Sequence, residues 1–277
     1  MGLTLSSDDE MVAVRQVNGS NADIWVKPLG GAFQPLTLSD ADEKFPVWQP
    51  GTSNVTFLSN RNGHYEVWSR RADGAGDAKL LADAKEDLFS AAWTPDGKTL
   101  LLQTAGKGDI LTFRPGVDSV PLPLLHSEFR EGNPSVSPDG HWIAYDSDVS
   151  GRYEVWVAPF PDVGNGRKQV SIDGGWHPKW AHSGRELFFE ATGPTHSLMS
   201  VQIQTGPSLV VGRPVLVFPT SGYYGSGTVG EVYDFTADDR RFLFARRPGQ
   251  AASNKGTRPD VVLVNNFGEV LEQMVGR

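Results

Sequence analysis

The feature that most constrains this chain is a unit of strand, tight turn and strand that returns along its length. It is clearest from Asn133 to Val157. Trp142, Ile143, Ala144 and Tyr145 form an apolar run, and Tyr153, Val155 and Val157 alternate with Glu154 and Trp156. Short runs of β-branched and aromatic residues bounded by Gly, Pro and Asp are strand signals. Ser137-Pro138-Asp139-Gly140 stands before the first of these runs. Proline presets φ for a turn, Gly140 tolerates positive φ, and the Asp139 carboxylate bonds nearby backbone, which is a structural role.

The same grammar returns at Ser7-Asp8-Asp9, Gln49-Pro50-Gly51, Thr94-Pro95-Asp96-Gly97, Ala181 to Gly184 and Thr236 to Asp239. The spacing is roughly 42–55 residues, the range of a four-stranded propeller blade. Gly and Pro interrupt every candidate helical window. One such sheet cannot bury both faces alone, but sheets packed radially cover one another. The expectation is therefore an all-β, six-bladed β-propeller of four-stranded antiparallel blades around a central channel. It forms one domain over 1–277, with blades at about 3–42, 43–86, 87–130, 131–174, 175–229 and 230–277. Trp48, Trp93, Trp180 and Phe235, the large residues before the turns, are expected to fill the gaps between blades. Met1-Gly2 opens almost in an innermost strand. The last blade is then expected to finish with Val270 to Met274, and the ring to close by side-chain packing between the first and last blades.

Composition removes several function classes. The 277 residues carry a net charge of −8 with no basic block, which argues against a nucleic-acid surface. There is no cysteine, hence no disulfide framework, thiolate metal site or Cys nucleophile. No apolar run approaches the roughly 18 residues of a membrane span. The first residues lack a basic start and an apolar core, so the chain as written reads as cytoplasmic. Removal of a signal or of an upstream domain would instead allow a periplasmic or extracellular place.

The phrases FPVWQPG, AAWTPDGKTLLL, PSVSPDGHWIAYDSD and RYEVWVAPF resemble the repeats of the TolB-like propeller family. The order of units, including VYDFTADDRRFLF and the ending VVLVNNFGEVLEQM, is similar to propellers fused C-terminally to bacterial Ser/Thr protein kinases. The likeness covers nearly the whole chain and implies the propeller fold. It also implies either a protein-binding scaffold or an enzyme-associated module. The chain contains no kinase motif.

Propeller geometry then gathers distant residues. The connections into the innermost strands, and the loops between second and third strands, share one face, and the Pro-Asp-Gly turns share the other. The first face is expected to form a mouth carrying Glu43, Lys44, Asp87, Arg130, Glu131, Asn133, Trp176, His177, Glu231 and Tyr233. Loops of the same face carry Asn60, Arg61, His64, Asp146, Asp148, Arg152 and His196. His177 with Glu131 or Glu231 has the chemistry of a general acid and base, and Tyr233 adds a hydroxyl. Glu131, His177 and Glu231 also have the donor types of a transition-metal site. An acidic ring suits Ca²⁺, and this resembles the axial cations of propellers.

The ligand-binding set comprises Glu43, Lys44, Asp87, Asn133, Arg61, His64, Arg152, Trp176, Tyr223 and Tyr224. Pro219 to Gly230 is glycine-rich, carries Tyr223 and Tyr224, and is placed to act as a lid. No Gly-x-Ser-x-Gly elbow or His-Glu-x-x-His helix is present. Two readings follow. The first is a monomeric binding module that holds a protein, peptide or small ligand at an acidic mouth. The alternative is a hydrolase or lyase that uses His177, Glu131, Glu231 and Tyr233 there. Convergence separates them, because an enzyme needs these groups within hydrogen-bond reach of one another.

Overall fold

The computed structural model describes residues 2–164, 166–193, 196–206, 208–220, 223, 233–246 and 260–264. Over these residues the chain forms 24 strands in six antiparallel sheets. Sheet one holds β1 (Leu3–Leu5), β2 (Met11–Asn18), β3 (Asn21–Pro28) and β4 (Gln34–Pro35). Sheet two holds β5 (Glu43–Trp48), β6 (Asn54–Ser59), β7 (Glu66–Arg71) and β8 (Lys79–Ala82). Sheet three holds β9 (Leu88–Trp93), β10 (Leu100–Thr104), β11 (Ile110–Phe113) and β12 (Leu122–Leu125). Sheet four holds β13 (Glu131–Val136), β14 (Trp142–Ser147), β15 (Glu154–Pro159) and β16 (Lys168–Gln169). Sheet five holds β17 (Gly175–Trp180), β18 (Glu186–Ala191), β19 (Ser197–Gln204), β20 (Val210–Val211) and β21 (Val215–Pro219). Sheet six shows β22 (Tyr233–Phe235), β23 (Phe242–Arg246) and β24 (Asp260–Val264).

Five sheets are thus complete blades, and the sixth is seen as three strands. Its fourth strand, expected at Val270–Met274, lies outside the described residues. Sheet five departs from the four-strand expectation because β19 is eight residues long. One end of β19 pairs with β20 and the other with β21, so two short segments share one partner.

The turn after the innermost strand is built the same way in sheets one, three, four and six. A hydroxyl donates to the Asp two residues on: Ser6 to Asp8, Thr94 to Asp96, Ser137 to Asp139 and Thr236 to Asp238, at 2.5–2.6 Å. Each carboxylate also accepts the backbone amide two residues further along. These paired bonds close the turn locally, which is the Asp-turn chemistry read from the sequence. Gly97 and Gly140 supply the left-handed φ, at 67° and 74°. In sheets one and six the corresponding residue is an Asp, Asp9 at φ 61° and Asp239 at φ 59°. Both carboxylates reach sideways to the preceding sheet. Asp239 accepts the amides of His182 and Ser183 at 2.8 and 3.0 Å, and Asp9 accepts the amide of Ala237 at 3.0 Å.

Between sheets lie apolar layers. Trp180 packs with Ala144, Val155 and Val157 of sheet four. Trp93 donates its indole N–H to Thr56 Oγ1 of sheet two, and Trp48 donates to the Thr4 carbonyl of sheet one. Phe235 packs with Phe188 of sheet five, with ring centroids 5.1 Å apart. The ring closes where sheet six meets sheet one. Leu243 joins Leu3, Leu5, Val12 and Val14 in one core cluster. Asp234 on β22 accepts Thr4 Oγ1 and the Leu5 amide, at 3.1 and 2.8 Å. Closure therefore adds hydrogen bonds to the packing expected from the sequence.

Candidate functional site

The innermost strands of all six sheets line an axial channel of about 260 Å³. Its wall runs from Thr4 through Trp48, Ser90, Ser135 and Lys179 to Asp234. On the mouth side it meets a second cavity of about 300 Å³, set between sheets three, four and five. Phe89, Tyr153 and Trp176 give that pocket aromatic walls, while Gln103, Asn133, Asp146 and His177 give it polar groups. Arg130 stands at its exposed edge. Asn133 and His177 line both cavities, so they sit at the junction.

Backbone strain places those two side chains. Phe45, Asn133 and His177 occupy the same position in β5, β13 and β17, and each precedes a proline. All three have left-handed φ, at 52°, 48° and 53°. The pairing register slips at each, between Lys44 and Val47, Gly132 and Ser135, and Trp176 and Lys179. A bulge of this kind re-aims a side chain, and each left-handed non-Gly residue costs on the order of 1–3 kcal/mol. The amides of Asn133 and His177 bond to the second strand of the preceding sheet. Asn133 N donates to Gln103 Oε1 at 3.1 Å, and His177 N donates to Asp146 Oδ2 at 3.1 Å. Asn133 Nδ2 also donates to Asp146 Oδ2, at 2.8 Å. Burial pushes the Asp146 carboxyl up, against the pull of His177 and the Asn133 hydrogen bond.

The expected catalytic set divides among different partners. The His177 ring meets Glu190 through Nδ1 at 3.2 Å, on its own sheet. Glu131 is buried and accepts Ser127 Oγ at 2.5 Å, and its carboxyl is pushed up chiefly by burial. No hydrogen bond joins Glu131 to His177 among the described residues. Tyr233 is fully buried and donates its hydroxyl to the His177 carbonyl at 2.9 Å. Glu231 lies outside the described residues, so the Glu131–His177–Glu231 metal set is described only in its first two members.

The ligand-binding candidates also separate. Glu43 is buried and paired with Arg61 at 2.5 Å. Lys44 lies over the Tyr65 ring at 3.4 Å, and burial lowers its ammonium pKa to about 8. Asp87 accepts the Tyr65 amide at 2.8 Å. Arg152 bonds Glu154 and Asp173, fixing the start of β15 to the connection ahead of β17. His64 meets Asp83 at 2.9 Å on the rim of sheet two. Asn133 and Trp176 do reach the mouth pocket. Tyr223 packs on Phe244 with centroids 4.9 Å apart. Tyr224 and most of the expected lid, Pro219 to Gly230, lie outside the described residues.

Sequence reasoning missed Gln103, Tyr153 and Glu190. Gln103 and Glu190 stand in second strands, each one residue past the apolar run that marks the strand in sequence. The signal that could have found their neighbours is the X-Pro pair shared by Phe45-Pro46, Asn133-Pro134 and His177-Pro178.

Closed radial packing of antiparallel sheets around a channel defines a β-propeller. The model of the TolB β-propeller domain family, PD40, matches residues 4–169, more than half of the chain, and the protein belongs to that family. It is similar to protein Atu1656 of Agrobacterium fabrum, 31% identical over 98 residues that cover 35% of this chain and 33% of that one. Its fold resembles TolB from Acinetobacter baumannii, with a TM-score of 0.69 at 14% identity, over 95% of this chain and 63% of the other. It also resembles a puromycin-hydrolyzing peptidase of Mycobacterium tuberculosis, with a TM-score of 0.62 at 14% identity, over 95% of this chain and 46% of that one. The chain thus spans about a third of the curated relative and under two thirds of the solved TolB. No helix among the described residues is long and apolar enough to cross a membrane.

Proposed function

We propose that the protein is a binding module whose mouth pocket, between sheets three, four and five, holds a short peptide segment of a partner protein. The observation that carries this reading is how the polar groups of the mouth are engaged. Tyr233 donates to a backbone carbonyl, Glu131 accepts a serine, and the His177 ring leans on Glu190. These contacts position strands, and none of the three joins a hydroxyl to the His177 ring. The pocket itself offers three aromatic walls and a fixed Asn133–Asp146 pair. Cavities of about 300 Å³ with aromatic walls and a few placed polar groups are ordinary ligand sites. The fold likeness to TolB fits a scaffold, and the likeness to a peptidase fits peptide recognition as well as the hydrolase alternative.

The test is panning of a random linear-peptide library against wild type, Trp176→Ala and Arg130→Ala. Peptides enriched on wild type are expected to lose about tenfold or more in affinity on Trp176→Ala, as for an interface aromatic anchor. Enriched peptides that bind both variants as tightly as wild type would place recognition elsewhere. Turnover of a peptide or ester substrate that His177→Ala abolishes would favour the hydrolase.

A further inference from the structure

Away from the mouth pocket, the rim of sheet two brings an imidazole and two carboxylates to one point. His64 precedes β7, Glu66 opens it, and Asp83 follows β8. One donor atom from each lies within 4.8 Å of the other two. His64 Nε2 stands 2.9 Å from Asp83 Oδ1 and 3.9 Å from Glu66 Oε1. Ligands about 2.0–2.1 Å from a tetrahedral ion are about 3.3 Å apart, so these separations bracket what such an ion needs.

The surroundings turn the donors inward. Glu66 is buried, and its Oε2 accepts Asn62 Nδ2 at 2.8 Å and Trp68 Nε1 at 3.2 Å. Its Oε1 accepts no hydrogen bond among the described residues and faces His64. Asp83 is held at both oxygens: Oδ2 by the Lys85 ammonium, and Oδ1 by the Lys85 backbone amide at 2.7 Å, with Oδ1 also facing His64. Outer partners that fix the second oxygen of a carboxylate are what orient metal ligands. His64 is 30% exposed and Asp83 16%, so solvent reaches the site and coordination positions remain open.

We propose that His64, Glu66 and Asp83 form a site for one divalent transition-metal ion with open coordination positions on the mouth-side rim. One nitrogen and two carboxylate oxygens suit a borderline ion such as Zn²⁺ or Co²⁺ better than Ca²⁺, which wants six to eight oxygens. This proposal is independent of the mouth pocket and does not use His177. Coordination needs a neutral imidazole at His64, so affinity rises with pH. Lys85 competes with the ion for Asp83.

Calorimetry with ZnCl₂ and visible absorption with CoCl₂, on the full chain, test the site. One ion per chain is expected. His64→Ala should weaken binding by at least about tenfold, and Asn62→Ala, which loosens Glu66, by about tenfold. Lys85→Ala should tighten it about fivefold, since a charge that competes for Asp83 in water is removed. His64→Gln, which keeps the side chain polar, is the second variant should the alanine misfold. No saturable binding in wild type overturns the proposal. So does binding that survives both His64→Ala and Glu66→Gln.

Discussion

The two faces of the disc use the same side chain in opposite ways. On the turn face, Asp8, Asp96 and Asp238 sit below the usual carboxylate range because a hydroxyl and then a backbone amide donate to each. Asp139 is also lowered: partial burial works against it, but the Ser137 hydroxyl and His141 amide prevail. On the mouth face, Glu131 and Asp146 are pushed up by burial. There Glu43 Oε2, Asp109 Oδ1, Glu131 Oε2 and Glu190 Oε1 are buried without a hydrogen-bond partner among the described residues. Satisfied carboxylates specify the turn face. The mouth face holds buried carboxylates with one oxygen left as an acceptor. Departures of this kind gather where a protein works on something other than itself.

The contrast predicts opposite signs for matched substitutions. The largest effect belongs to the turn face. Asp239→Ala removes the acceptor of the His182 and Ser183 amides and leaves a non-Gly residue at φ 59°. It should cost about 2–3 kcal/mol in urea unfolding, because bonds to a charged acceptor are lost and strain stays. Asp239→Gly should cost less, since glycine relieves the strain. On the mouth face the sign reverses: Glu131→Gln should raise stability at pH 7 by about 0.5–1 kcal/mol. A loss as large as that of Asp239→Ala would mean that the mouth acids are structural too.

The smallest effect is the pH profile. An acid with a raised folded pKa destabilises the fold when ionised, so acidification through that pKa strengthens it until the unfolded value is passed. For Glu131 and Asp146 those unfolded values are 4.5 and 3.8. The turn-face acids do the reverse, and their contribution fades as pH falls below 3.8 toward their lowered folded values. Thermal unfolding in the His64→Gln background, which removes an imidazole whose pKa the Asp83 hydrogen bond raises, should therefore be most stable at about pH 4–5. Stability that falls steadily from pH 7 would show that the mouth acids carry no such penalty.

Much of the ring was legible because propeller turns write themselves locally. Ser137-Pro138-Asp139-Gly140 states its own hydrogen bonds, and Trp93 or Trp180 before such a turn has only the next sheet to pack against. The site was less legible because it depends on register. Whether His177 meets Glu131 or Glu190 follows from a bulge that shifts the pairing between Trp176 and Lys179, and neither residue type nor spacing encodes that shift. Glu131 and Trp176 are expected on one face, but a face is wider than a hydrogen bond. The doubled partner of β19 was hidden for a similar reason, since Val210–Val211 is too short to announce a strand.

The pre-proline bulge has an evolutionary corollary. Phe45, Asn133 and His177 are three different heads on one kind of stem, and the stem is fixed by backbone rather than by the head it carries. Exchange at these positions could alter what the opening of the channel attracts while the surrounding architecture stays as it is. The opening of this channel is thus set by side chains carried on its innermost kinks, Asn133 and His177, well inside the outer surface.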